Sequence, residues 1–473
     1  MAEIANQNIL VVGLGGRGRA ACGLLRRGGA KVLGVDGADT EELRAAAQEL
    51  CALGVDVKLG VTSVPPGDYT LAVLSPAVPV GGGLVQGLLE RRLPVISELE
   101  LGCHQLQCLT IAIAGTNGKA TTAGLVERML VNNHRKTLVC AHRERPICSV
   151  VEQSKDLDFL ILQINALQLE TTEQIRPAVA VLLNLASTDL ERYGTAENYA
   201  RIWARIFPHQ QGFDWAIVQS EALVRLRELN LPVPGKVITF SATDPGADLF
   251  LDRGLLLSRL PNWSGPLLDL AQCQLRGPRN AENLMAALAV GHVLRLPLET
   301  MVDPLRTCPP RAHCCEVIAE IDGVQFVNDS KATNPDALHQ ALLAVRPGSG
   351  TEPNVWLIAG GCDHGLDFHE VGPVISRRVK RAILIGEAGE RLRAAWGLFT
   401  PCAVAGSLLE AVAEAARNAA SGDVVLLSPA CSSFDQFQNY QQRGEIFCQA
   451  VQSIGRGADA AHPNISGKTP PDR

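Results

Sequence analysis

The stretch that decides the fold reads Thr110-Ile111-Ala112-Ile113-Ala114-Gly115-Thr116-Asn117-Gly118-Lys119-Ala120-Thr121. Thr110–Ala114 suits a buried strand, and Thr121–Leu130 carries a helical pattern. Between them lies a glycine-rich turn. A strand–turn–helix of this composition aims backbone N–H groups at phosphate, and Lys119 is the residue expected to reach the β- and γ-phosphates. The following position normally carries the Ser or Thr hydroxyl that holds Mg²⁺, but here it is Ala120, with Thr121 and Thr122 one and two steps further round the helix.

Strands and helices alternate on both sides of this segment. Upstream, Asn8–Val12, Lys31–Val35, Leu71–Leu74 and Val95–Ile96 are expected strands, with helices over Ala20–Arg27 and Glu41–Leu50. Gly13-Leu14-Gly15-Gly16-Arg17-Gly18 leaves the first strand as a GxGxxG turn, and Asp36 ends the next strand, where a ribose-binding acid would stand. A tight turn without ligand also accounts for these residues.

Downstream, Phe159–Ile164 and Val179–Leu183 read as strands, and Asn198–Phe207 and Glu282–Leu294 as helices. Residues near 213–270 are less periodic and are expected to hold a small antiparallel insertion. A third unit follows, with strands Val324–Val327, Val355–Ala359, Ala382–Ile385 and Val424–Leu427 and an Ala-rich helix Ser407–Ala420. The fold class is therefore α/β in three domains. They are a Rossmann-like unit over 1–104, a central P-loop domain over 105–306 and a Rossmann-like domain over 307–454, with a Gly/Pro/Ala-rich tail over 455–473 expected to be disordered.

Composition narrows the function classes. The 473 residues are 47% hydrophobic, which excludes a largely disordered chain, and the net charge of -6 argues against a non-specific nucleic-acid or anionic-membrane binder. No apolar run reaches the ~18 residues of a membrane span, and the polar start predicts no signal peptide. The 14 cysteines include no CxxC pair, so they read as reduced cytoplasmic thiols rather than as a zinc or redox site.

Three polar runs directly follow apolar strands, where α/β sheets bind ligands. Glu170 follows Phe159–Ile164 as a candidate metal ligand or a solvated helix-start residue. Asn328-Asp329-Ser330-Lys331-Ala332-Thr333-Asn334 is denser in functional groups than a plain turn needs. Ser428-Pro429-Ala430-Cys431-Ser432-Ser433-Phe434-Asp435 is the third.

With these residues in view, the chain resembles the Mur ligases, and within them the D-glutamate-adding branch. The likeness extends over about residues 8–452. It is carried by Gly115–Lys119, Gln168-Leu169-Glu170-Thr171-Thr172, Asn328–Asn334, and Ser428–Phe437 with Gln442-Arg443-Gly444. It implies ATP and Mg²⁺ as cofactors, and UDP-N-acetylmuramoyl-L-alanine and D-glutamate as partners in cytoplasmic peptidoglycan precursor synthesis. No nucleic acid, no membrane insertion and a monomer are expected. It further implies catalytic roles for Lys119, Glu170 and Asp189. ATP would meet Gly115, Thr116, Asn117, Gly118, Lys119, Ala120, Thr121, Asn280, Asn283 and Asp329. The UDP moiety would meet Gly15, Gly16, Arg17, Asp36 and Ser75, and the metal Thr121, Glu170 and Asp189. The amino acid would meet Lys331, Thr333, His364, Ser433 and the backbone N–H of Phe434.

Departures from the family pattern cluster at one place. Ala120 replaces a Ser or Thr, Asp189 a metal-binding His, Trp203 a carbamylated Lys, Cys314 an Arg facing ATP, and His364 a Lys facing the amino acid. His142-Arg143-Glu144 and Asn165-Ala166-Leu167 also differ from the segments they match. Three readings follow: an active ligase with a rebuilt metal site, a binding protein that turns over slowly or not at all, and a ligase of altered amino-acid specificity.

Overall fold

The computed structural model describes residues 4–79, 81–141, 144–186, 190–348 and 352–461, with backbone alone for 190–191 and 455–461. The chain forms three sheets in two compact units, the first spanning Met1–Cys273 and Asn280–Cys308, the second Gln274–Arg279 and Pro309 onward.

The first sheet is parallel throughout, in the order Asp56–Lys58, Lys31–Val35, Asn8–Val12, Leu71–Leu74, Val95–Ser97. The strand order reverses between Asn8–Val12 and Leu71–Leu74, so the Gly13–Gly18 turn and Ser75 meet at a topological switch point. Side chains alternate between two buried faces. Ile9 and Val11 enter one core and Leu10 and Val12 another, so the strand reads as a continuous apolar run.

The second sheet has nine strands. Leu109–Ala114 lies between Phe159–Gln163 and Val179–Leu182, parallel to both, with Thr137–Cys140 beyond Phe159–Gln163. The small antiparallel insertion expected within 213–270 is present, and it occupies only part of that span. Trp215–Gln219 and Lys236–Ser241 extend the parallel sheet, and antiparallel pairing is confined to Leu249–Asp252, Leu255–Ser258 and Gly265–Asp269. Trp215–Gln219 begins with an aromatic and ends with an amide, which hid a short buried strand.

These two sheets share a core. One apolar cluster runs from Ile9, Leu24 and Leu25 through Leu99 and Leu101 to Ile147, Cys148, Leu162 and Trp203. The helix Glu98–Cys103 stitches across it: Glu98 accepts from the Cys148 N–H at 2.8 Å, and Glu100 accepts from the N–H groups of Glu173 and Gln174. A Cβ on Gly102 would lie 2.5 Å from Ile147.

The third sheet runs Glu316–Ile321, Val324–Asn328, Val424–Leu427, Val355–Gly360, Val379–Ile385, Cys402–Val404. Only the first pair is antiparallel. Val324–Asn328, Val424–Leu427 and Val355–Gly360 are parallel neighbours, so their C-terminal loops open at one edge. The last helix spans Tyr440–Ala461, so 455–461, expected to be disordered, is helical. Ala458, Ala460 and Ala461 favour helix enough to offset Gly455 and Gly457. Residues 462–473 lie outside the described residues, and among the described residues no helix is long and apolar enough to cross a membrane.

Candidate active site

The Gly115–Lys119 loop is held open by backbone that only glycine accommodates. Gly115 and Gly118 have φ of 125° and 93°. A Cβ on Gly118 would come within 2.3 Å of Asn283 Oδ1, and one on Gly115 within 3.0 Å of the Asn184 nitrogen. The helix Lys119–Asn132 starts directly from the loop, so its first-turn N–H groups face the same space.

Two asparagines clamp this loop. Asn184 sits just past Val179–Leu182. Its Oδ1 accepts from the Asn117 N–H at 2.9 Å, its Nδ2 donates to the Asn117 carbonyl at 2.9 Å, and its own carbonyl accepts from Thr116 N–H at 3.0 Å. Asn283, on the helix Pro278–Val293, accepts from the Thr122 hydroxyl at 3.1 Å and donates to Asn280 Oδ1 at 3.2 Å. Asn283 is buried and backs the loop, while Asn280 is half-buried. Asn184 was missed from sequence, although it is the first polar residue after an apolar strand adjoining the loop strand.

Lys119 folds over its own loop. Its Nζ donates to the Gly115 carbonyl at 2.6 Å and the Thr116 carbonyl at 2.9 Å, and lies 5.4 Å from the centroid of the Trp203 ring. Ala120 and Thr121 follow in the first helical turn, with the Thr121 side chain half-buried.

Glu170 ends a one-turn helix that begins with a capping box between Asn165 and Gln168. Its carboxylate is bridged by Arg192, Nε to Oε1 and Nη2 to Oε2, both at 2.7 Å. Burial works to raise the Glu170 pKa, but hydrogen bonds from Arg192 and Tyr193 and the charges of Arg192 and Arg205 outweigh it and hold the carboxyl below its ordinary range. Glu170 is therefore anionic at neutral pH, with a guanidinium across both oxygens. Asp189 lies outside the described residues, as do His142 and Arg143.

These donors can be tested against the groups expected there. The loop fits nucleotide phosphates, with converging backbone N–H groups and a lysine at its mouth. For a divalent cation the chain offers the Thr121 hydroxyl and the Glu170 carboxylate. Among the described residues no cluster of three His, Cys, Asp or Glu side chains could cage a metal, and the Trp203 indole has no oxygen to give.

In the first sheet, Gly15 caps the helix Gly16–Arg27 and is exposed with Gly16. Asp36 braces the turn: Oδ2 accepts from Leu14 N–H at 2.7 Å and Oδ1 from Ala38 N–H at 2.9 Å. Arg17 reaches the Ala141 carbonyl at 3.4 Å, and burial lowers its pKa against the opposing charge of Glu98. Ser75 is buried against Gly13, whose added Cβ would lie 2.8 Å from Ser75 Cβ.

In the third sheet, the loops carrying Lys331 and Thr333, His364, and Ser433 and Phe434 leave neighbouring strand ends. His364 Nε2 lies 2.8 Å from Ser432 Oγ. Ser433 is buried, its carbonyl turning back to accept from Phe437 N–H at 2.9 Å, whereas Phe434 is 71% exposed. Lys331 and Thr333 are half-buried.

Fully buried Arg443 ties the loops together. It donates to Ser330 Oγ at 3.1 Å and the Ser330 carbonyl at 2.8 Å, and to the Cys431 carbonyl from both terminal nitrogens at 3.1 Å. Burial lowers its pKa to about 10. Its role was not legible in sequence, since the Ser330 hydroxyl and carbonyl and the Cys431 carbonyl meet it only in the folded chain. Asp329 is turned inward as well, accepting from Ser428 Oγ at 2.8 Å and Cys315 N–H at 3.0 Å, and burial pushes it up to about 7. Cys314 is half-buried in the preceding turn.

The chain matches the Mur ligase middle domain over residues 113–291 and the Mur ligase glutamate ligase domain over 314–431. The UDP-N-acetylmuramoylalanine–D-glutamate ligase of Acidobacterium capsulatum is 37% identical over 470 residues, covering 98% of this chain and 100% of that protein. The ligase of the same name from Thermoanaerobacter sp. is 32% identical, covering 96% and 100%. Among solved structures, Thermotoga maritima MurF ligase in complex with ADP superposes with a TM-score of 0.60 at 17% identity, over 90% of this chain and 96% of that one. A pseudomurein peptide ligase type C from Methanothermus fervidus gives 0.58 at 13%, over 95% and 100%. The structures share the fold, and the full-length relatives fix the family: the chain belongs to the Mur ligases, in the branch of the UDP-N-acetylmuramoylalanine–D-glutamate ligases.

Proposed function

We propose that the chain is an ATP-dependent ligase joining D-glutamate to UDP-N-acetylmuramoyl-L-alanine. The observation that carries this reading is the preformed Gly115–Lys119 cradle, in a chain that aligns end to end with ligases of that name. A carboxylate oxygen of the UDP-linked substrate attacks the γ-phosphorus of ATP, and ADP leaves. The D-glutamate amine then attacks the acyl carbon of the resulting acyl phosphate. It loses a proton, and inorganic phosphate departs as the amide forms.

The chain's own groups act by positioning and charge. Loop N–H groups and Lys119 hold the β- and γ-phosphates, and Asn184 and Asn283 keep the loop from collapsing when they are absent. Mg²⁺, with Thr121 and Glu170 as the oxygen ligands offered, would neutralise phosphate charge. Gly15, Gly16, Arg17 and Ser75 would receive the UDP moiety. Ser433, the Phe434 N–H and Lys331 would gather on the carboxylates of D-glutamate, with Thr333 and His364 at the rim. In this reading residues 1–104, 105–306 and 307–454 serve the UDP moiety, ATP and the amino acid in turn. The protein works as a monomer in the cytoplasm, where ATP is at hand.

One observation favours the slower, binding-dominated reading: Arg192 already spans the Glu170 carboxylate. Phosphate release separates the two. With ATP, Mg²⁺, UDP-N-acetylmuramoyl-L-alanine and D-glutamate all present, release should exceed that of every mixture lacking one of them. Release indifferent to D-glutamate, or none with all four, overturns the ligase.

A further inference from the structure

The helix Ala196–Ala204 carries Tyr199 and Trp203 four residues apart, so they share one face, and that face adjoins the phosphate loop. The Trp203 indole is 1% exposed, and the Lys119 ammonium lies over its ring at 5.4 Å from the centroid. Tyr199 meets the indole edge-on, with centroids 5.8 Å apart and planes at 82°. The Tyr199 hydroxyl is 3.2 Å from Thr116 Oγ1, and Tyr193 packs on Tyr199 at 5.1 Å. The ammonium also donates to two loop carbonyls.

The indole is a costly choice for filling this space. Its Nε1 is buried with no hydrogen-bond partner among the described residues, a penalty that Phe or Leu would avoid. What an indole adds over either is the strongest π face for a cation. In a wall that excludes water, such a contact gains strength.

We propose that Trp203 is the positioning residue of Lys119. Its π face fixes the ammonium at the mouth of the loop before nucleotide arrives, and the ammonium swings from ring to phosphate when it binds. The proposal rests on the reading of Gly115–Lys119 as a nucleotide phosphate site. It assigns this corner of the site to an aromatic wall that holds a cation, in place of an acidic group that would hold a metal.

The test uses the full chain, Trp203→Phe, Trp203→Leu and Lys119→Met, with ADP as probe. Trp203 emission, taken as the difference between wild type and Trp203→Phe, should change on adding ADP. In Lys119→Met it should differ from wild type with no nucleotide present. ADP affinity by calorimetry should fall in the order Trp, Phe, Leu, by about 3- to 30-fold across the series. The Phe and Leu variants should melt together. Trp203→Leu binding ADP as tightly as wild type overturns the proposal, as does emission indifferent to both ADP and Lys119. Phe and Leu variants that lose affinity only in step with melting temperature assign Trp203 to packing and overturn it too. A wild type that binds no ADP overturns the nucleotide reading, and the proposal with it.

Discussion

The loop after Leu109–Ala114 and the loops after Val324–Asn328, Val355–Gly360 and Val424–Leu427 all leave the C-terminal ends of parallel strands, yet they are held by different means. Neutral amides clamp the first: Asn184 mirrors the backbone of Asn117, and Asn283 backs Gly118. Its one cation, Lys119, stands at the mouth. In the second, a cation is sunk beneath the loops, where Arg443 draws the Ser330 and Cys431 carbonyls to one point. A phosphate site needs a mobile positive charge that can follow its ligand. Loops that must present several donors to small carboxylates need a fixed frame, and a guanidinium with five N–H groups supplies it.

Arg443→Met should break this contrast most severely. It strands several buried carbonyls and should cost about 3–5 kcal/mol in chemical denaturation, with Arg443→Lys recovering only part. Next comes Gly118→Ala, since an L-residue at φ 93° with its Cβ 2.3 Å from Asn283 Oδ1 must shift the loop. ADP affinity measured by calorimetry should drop by about 30-fold or more. Asn184→Ala removes both hydrogen bonds to Asn117 and should weaken ADP by about 10-fold while leaving the D-glutamate KM unchanged. If that KM rises in parallel, the two regions are not held independently.

The smallest effect concerns Asp329. Burial lifts its folded pKa to about 7 from an ordinary value near 3.8. Between these values the folded protein binds more protons than the unfolded one, so Asp329 costs stability as pH rises and the full cost is present above about 7. From pH 6 to pH 8 wild type should lose about 1–2 kcal/mol relative to Asp329→Asn, read as the difference between their denaturation midpoints. A constant difference across that range would show that the carboxyl ionises normally. The groups around it are Cys315, Ser428 and Lys331.

Much of this was legible in sequence where a single element carries the signal. Asn8–Val12, Leu109–Ala114 and Val424–Leu427 are apolar runs closed by polar or glycine-rich turns, and burial on both faces makes such runs conspicuous. Glu316–Ile321 escaped because it is an edge strand with half-exposed side chains, and Thr137–Cys140 because it is short and lies at the rim of its sheet. Candidate site residues that stand in a motif of their own, such as Lys119, were legible as candidates. Asn184, Tyr199 and Arg443 were not, because each acts on groups that only the folded chain brings near. Asp36 and Asp329 were legible as polar groups at strand ends, but not their inward hydrogen bonds.

The shared core of the first two sheets has a consequence for recombination. Glu98 is 1% exposed, and its Oε2 has no hydrogen-bond partner among the described residues. Its Oε1 depends on the N–H of Cys148, fifty positions along the chain. A chimaera crossing over near residue 104 would set that carboxylate against a foreign surface and press Gly102 on whatever replaces Ile147. The first sheet is thus not an interchangeable cassette, and shuffled ligases built from this chain should inherit residues 1–308 from one parent.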